Sequence, residues 1–136
     1  MNNANKIASQ MFEGDAFSKW LGIEIVAVKE GFCELNLSVR EEMTNGFKIA
    51  HGGITYSLAD SALAFASNSH GRKSVSVETS ISHTKQCLVG DLITAKAIEK
   101  SISNKIAIYE IKITNQKDET VALFKGTVYR TSKDWI

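Results

Sequence analysis

Residues 54–68 constrain this chain more than any other stretch. They read Ile-Thr-Tyr-Ser-Leu-Ala-Asp-Ser-Ala-Leu-Ala-Phe-Ala-Ser-Asn, rich in alanine and with Asp60 as the sole charge. Such a segment is a helix buried nearly all round rather than a surface amphipath. Its small residues allow close approach to other backbones, and Asn68, just before His70-Gly71, is a fitting stop. A helix of this kind needs a sheet to enclose it.

The flanking sequence supplies one. Residues 4–20 read as helical with a break at Gly14-Asp15, where Asp15 is a candidate N-cap for a short turn carrying Phe17 and Trp20. From Ile23 the hydrophobic period becomes two: Ile23, Ile25 and Ala27, then Cys33, Leu35, Leu37 and Val39 beyond the Glu30-Gly31 turn, which predicts a hairpin. After the helix come runs at 75–81, 92–98, 106–114 and 121–130, separated by short polar turns, expected as an antiparallel meander. The expected class is α+β: a strongly curved antiparallel sheet of about six strands around one long central helix, in a single domain spanning residues 1–136 with an N-terminal helical segment over residues 1–20. The sheet edges invite pairing with a second subunit.

Composition excludes several functions. The formal net charge is only +1, so no strong field favours nucleic acid or an anionic membrane. No apolar run is long enough to span a bilayer, and the N-terminus has no apolar signal core, which makes the cytoplasm the expected compartment. Cys33 and Cys87 are not closely spaced and read as free thiols.

Asp60 stands out chemically. With the helix starting near Gly53, it lies about 10 Å inside, too deep to cap the helix. Tyr56, Ser57, Leu63 and Ala64, its helical neighbours, carry no positive charge. A carboxylate there is costly unless it is hydrogen-bonded, for example to Ser57, or faces a cavity; the second case marks an active site. Gly52-Gly53 opens the same helix, where free amides could hold a developing oxyanion, or where the glycines merely permit a tight turn. Gly52 and Asp60 are separated by roughly 12 Å along the axis, so they cannot meet at one carbonyl within one chain. If both act, a two-fold dimer must pair Gly52 of each chain with Asp60 of the other.

His51-Gly52-Gly53, Leu58-Ala59-Asp60-Ser61-Ala62 and Ala66-Ser67-Asn68-Ser69 resemble the phenylacetate-degradation branch of the hot-dog acyl-CoA thioesterases. Leu21-Gly22-Ile23 and Gly90-Asp91 agree, and the resemblance runs from about Phe17 to Arg130. It implies the hot-dog fold, dimers or dimers of dimers with the active site at the interface, hydrolysis of aryl- or acyl-CoA to coenzyme A and an acid, and no metal or organic cofactor. It assigns Asp60 as the catalytic carboxylate, general base or nucleophile, and the Gly52 amide as oxyanion donor. Asn45 would orient water or thioester, and His51 would support the loop or leaving group. Gly53, Ser61, Asn68 and Ser76 fall among the substrate-binding positions, Ser76 as an aligner of water.

Arg72, Lys73 and Lys85 are candidates for the coenzyme A phosphates against a background of ordinary surface charge. Phe12, Phe17 and Trp20 either line an acyl pocket or pack. Trp135 is expected to be disordered or to dock on a neighbour. A metal site from His51, His70, His83 and Asp60 has irregular spacing, and no nucleophile-elbow pattern supports a serine triad. The alternatives are a hot-dog enoyl-CoA hydratase and a non-catalytic acyl-CoA sensor.

Overall fold

The structure, a computed structural model, describes residues 3–136; the first two residues of the expected N-terminal segment lie outside the described residues. The helical opening divides as its capping signals predict. α1 (Asn3–Glu13) is followed by α2 (Ala16–Leu21), whose N-cap Asp15 accepts a hydrogen bond from the Ser18 amide and whose C-cap Gly22 takes φ 73°. That left-handed conformation is one glycine adopts without strain.

β1 (Glu24–Lys29) and β2 (Phe32–Ser38) form the expected hairpin. The alternation predicted for β1 fails in its middle. A bulge between Ile25 and Ala27 shifts the register, so Val28 turns inward and Ala27 outward. An extra residue in one strand reverses every side chain beyond it.

α3 (Gly52–Asn68) precedes β3 (Arg72–His83), β4 (Leu92–Ile102), β5 (Ile106–Thr114) and β6 (Thr120–Asp134). The sheet order is β1-β2-β4-β5-β6-β3, antiparallel throughout. The expected meander holds only for β4–β6. β3 does not join its sequence neighbours; the connection from β2 runs through α3 and sets β3 at the far edge, against β6. α3 thereby lies across the sheet instead of beside it. Leu58, Ala59, Ala62, Leu63, Phe65 and Ala66 meet an inner sheet face that includes Leu35, Leu37, Ile93, Ala95, Tyr109, Ile111 and Ile113. Small alanines on both sides permit the close approach. At Gly126 the fit is tightest, because a Cβ there would lie 2.5 Å from Leu63 Cδ2.

The far end of α3 is closed by its own chain. Trp135 docks back, its indole nitrogen donating to Asn68 Oδ1 at 2.8 Å and its amide to the Gly71 carbonyl. Among the described residues no helix is long and apolar enough to cross a membrane.

Candidate active site

α3 is not buried all round. Its sheet-facing positions are sealed, but Gly53, Tyr56, Ser57, Asp60, Ser61 and Ala64 are partly or fully exposed. At three- and four-residue spacing they form one stripe along the helix. The sheet wraps most of the cylinder and leaves this strip open, and the one charged residue of the helix, Asp60, lies on it.

Asp60 points into a cavity of about 260 Å³ lined by Leu63, Ala64, Ser67, Ser74, Val75, Ser76 and Val128. Among the described residues its carboxylate has no hydrogen-bond partner. The alternative in which Ser57 satisfies it is excluded, since the Ser57 hydroxyl donates to the Gly53 carbonyl at 2.6 Å. Burial pushes the Asp60 pKa above its ordinary value, and the negative charge of Asp15 adds to the shift. A desolvated, unpaired carboxylate is a stronger base than one in water.

At the other end of the stripe His51 caps α3, with Nδ1 accepting from the Gly53 amide at 2.9 Å. That bond consumes one of the two glycine amides and leaves the Gly52 N–H free among the described residues. The His83 ring packs against Gly52, where a Cβ would lie 3.3 Å from Cε1. Its Nε2 is 2.6 Å from Thr55 Oγ1, which itself donates to the Gly52 carbonyl at 3.0 Å. Asn45 shares a cavity with Gly52, Thr55, His83 and Lys85. Its Oδ1 accepts from the Phe47 and Ile49 amides, at 2.9 and 3.4 Å, so only Nδ2 is left for a ligand. The thiol bordering this cavity, Cys87, has its pKa pushed up to about 11, mainly by burial and further by Asp91, so it is no nucleophile at neutral pH.

The family matched by the chain accords with this arrangement. A model described as the thioesterase superfamily matches residues 47–122. The chain is 40% identical over 123 residues to the acyl-coenzyme A thioesterase PaaI of Escherichia coli, covering 90% of this chain and 88% of that one. The structure of the E. coli PaaI protein from the phenylacetic acid degradation operon superposes with a TM-score of 0.95 at 38% identity, covering 97% of this chain and 96% of that one. A mutant of the phenylacetic acid degradation protein PaaI from Thermus thermophilus superposes with a TM-score of 0.83 at 32% identity, covering 86% and 100%. The chain belongs to the thioesterase superfamily. Its curved sheet around α3 is the hot-dog fold.

Within this thioesterase the remaining expected site residues divide. Ser76 lies beside Asp60 in the same cavity. Ser61 does not: its hydroxyl is 2.8 Å from that of Ser18, which donates to Asp15 Oδ2 at 2.6 Å, a chain that ties α2 to α3. Asn68 is a correction. It is buried and fully used, donating to the Ala64 and Ser74 carbonyls and accepting from the Ser74 amide and Trp135. No hydrogen-bonding capacity remains for substrate, so Asn68 locks the helix end to β3 and the C-terminus.

Lys73 lies over the Trp135 ring at 4.8 Å from its centroid, and Arg72 donates to Asn104. Lys73 thus holds the chain's end and Arg72 the turn between β4 and β5, and neither lines the Gly52 cavity. Lys85 borders the Gly52 cavity and pairs with Glu119 at 3.3 Å. The three histidines are dispersed: His51 bonds Gly53, His83 bonds Thr55, and His70 Nε2 is 2.6 Å from Glu99 Oε1. Thr55 was missed in the sequence, and His83 was weighed there only as a metal ligand, not as a partner of Thr55 beside Gly52. They stand 28 residues apart, and only the crossover that returns β3 past the start of α3 brings them together.

Proposed function

We propose that this thioesterase hydrolyses acyl-CoA thioesters, with Asp60 as general base, in a two-fold dimer that brings each Asp60 to the Gly52 amide of the partner chain. Asp60 takes a proton from water, the water oxygen adds to the thioester carbonyl, and the carbonyl oxygen gathers negative charge at the Gly52 N–H. Collapse breaks the C–S bond, releasing coenzyme A as thiolate and the acyl group as its acid. Ser76 is placed to hold the water and Asn45 Nδ2 to hold the thioester. His51 occupies the Gly53 amide and so directs the free donor at Gly52.

The observation that carries this reading is the unpaired Asp60 carboxylate in a cavity whose other wall is an edge strand. Ser74, Val75 and Ser76 of β3 line that cavity, and β3 has a neighbour, β6, on one side only. Val75 and Val77 on it are 56% and 58% exposed. A second copy pairing along this edge would cover them and arrive beside Asp60. The acyl-CoA class follows the E. coli relative named above; dimerisation along β3 is inferred from the exposed edge alone.

The test is thiol release from a panel of aryl- and fatty-acyl-CoA esters. Asp60→Asn is expected to lower kcat by about 10²–10⁴-fold, the range of general-base catalysis, with the oligomer intact by sedimentation. Full turnover in Asp60→Asn would overturn the assignment. A wild type that binds the esters but releases no thiol would turn the reading to a sensor.

A further inference from the structure

A hydrogen-bond donor carried by glycine has to be held from outside. Glycine visits backbone conformations closed to other residues, and an amide preorganised for an oxyanion must keep one direction before the charge develops. Gly52 has no side chain to restrain it, and its N–H bonds nothing among the described residues. Its neighbours supply the restraint. The peptide that bears the Gly52 N–H is pinned on its opposite side, where the His51 carbonyl accepts from the Ile54 amide at 2.9 Å. The next peptide is held on both sides: the Gly53 N–H donates to His51 Nδ1 at 2.9 Å, and the Gly52 carbonyl accepts from Thr55 Oγ1 at 3.0 Å.

Thr55 is an unexpected residue for its place. It is 3% exposed, on the packed part of α3 with Ile54 and Leu58, where a hydroxyl is costly unless it is bonded. A threonine hydroxyl has one hydrogen, and a carbonyl can only accept. That hydrogen therefore goes to Gly52, and the contact of 2.6 Å between Oγ1 and His83 Nε2 is made by a proton on the ring. The direction of the chain is thereby fixed: His83 Nε2 donates to Thr55 Oγ1, which donates to the Gly52 carbonyl. The same imidazole closes over Gly52, where a Cβ would lie 3.3 Å from Cε1. The strand end beneath the ring is anchored in turn. His83 pairs with Ala122 of β6, and the Thr84 amide donates to the Val121 carbonyl at 2.9 Å. Through β3 and one buried hydroxyl, β6 sets where the first turn of α3 stands.

We infer that His83 and Thr55 are positioning residues: acting in series, they hold the Gly52–Gly53 peptide so that the Gly52 N–H keeps its aim at the reacting carbonyl. This rests on the acyl-CoA reading above, in which Gly52 is the oxyanion donor, and adds the residues that fix it. Neither side chain makes or breaks a bond in the reaction, and the ring proton of His83 acts only through Thr55.

The test is a set of variants assayed for thiol release from one acyl-CoA ester that the wild type cleaves, with urea unfolding of each. Thr55→Val keeps the shape and removes the hydroxyl, Thr55→Ser keeps the hydroxyl, and His83→Phe keeps a ring against Gly52 and removes the donor. Thr55→Val is expected to lower kcat about tenfold or more, part of the loss that follows removal of an oxyanion donor outright, with KM changed by less than about threefold. Thr55→Ser should retain most of kcat. His83→Phe should lower kcat in the wild-type background and lower it little further in Thr55→Val, because residues that act in series are not additive. Loss of stability with kcat intact, equal losses of kcat from Thr55→Val and Thr55→Ser, or additive losses for the pair overturns the assignment. If Thr55→Val does not fold, His83→Phe is compared with His83→Gln, which keeps a donor; equal kcat in those two overturns it as well. A wild type that releases thiol from no acyl-CoA ester fails the reading on which this rests, whereas an active wild type whose kcat all the variants share fails only the positioning role.

Discussion

Asp60, the proposed base, is a carboxylate that is costly for stability. Its pKa is raised by burial and by Asp15, so the native state holds its proton more tightly than the unfolded chain. Between the unfolded and folded pKa values the native state binds more protons, and its stability falls as pH rises. Above the folded value the penalty is complete; below the unfolded value it vanishes. Asp60→Asn is therefore expected to melt higher than wild type at neutral pH, with the difference closing as pH drops through the carboxylate range. Thermal melts of both proteins across that range check this. An Asn variant less stable at neutral pH would show an unrecognised partner for the carboxylate. The same shift moves the acidic limb of the kcat/KM profile above that of an ordinary aspartate. Asp60 was legible in the sequence because a lone charge in an apolar helix has few explanations. Asn68 was misread because its role depends on Ser74 and Trp135, and the latter lies 67 residues away.

At the scale of elements, α3 and β6 depend on each other through one missing side chain. Leu63 fills the space over Gly126, where a Cβ would come within 2.5 Å. Gly126→Ala is expected to destabilise the fold by about 1–3 kcal/mol through overpacking, measured by urea unfolding. Trimming Leu63 in the Gly126→Ala background should recover part of the loss; additive losses would show that the two do not share the space. The Asp15 cap and the Asn68 stop were readable because each depends on residues a few positions apart. The bulge in β1 was not. Alternation in Ile23, Ile25 and Ala27 carries no sign of the extra residue, which appears only when β2 sets the register.

At the scale of the whole molecule, the edge strand β3 and the open stripe of α3 both border the Asp60 cavity. One chain carries both the proposed base and the proposed oxyanion donor, yet roughly 12 Å of helix separates them. Val77→Lys places a charge on the edge at a residue that lines neither the Asp60 cavity nor the Gly52 cavity. It is expected to yield monomers by sedimentation and to lose turnover with them. A monomeric variant with full activity would mean that each chain completes its own site.

The sequence by itself determined the helix, the strands and the sheet-around-helix class, and it singled out Asp60 and Gly52 as candidates. All of these depend on periodicity, capping and the cost of a buried charge, which act over a few residues. Only the tertiary structure decided that β3 crosses to the far edge, that His83 and Thr55 meet at Gly52, and that Asn68 and Ser61 serve the scaffold. Those outcomes depend on contacts between residues tens of positions apart, and hydrophobic pattern is silent about which apolar face meets which.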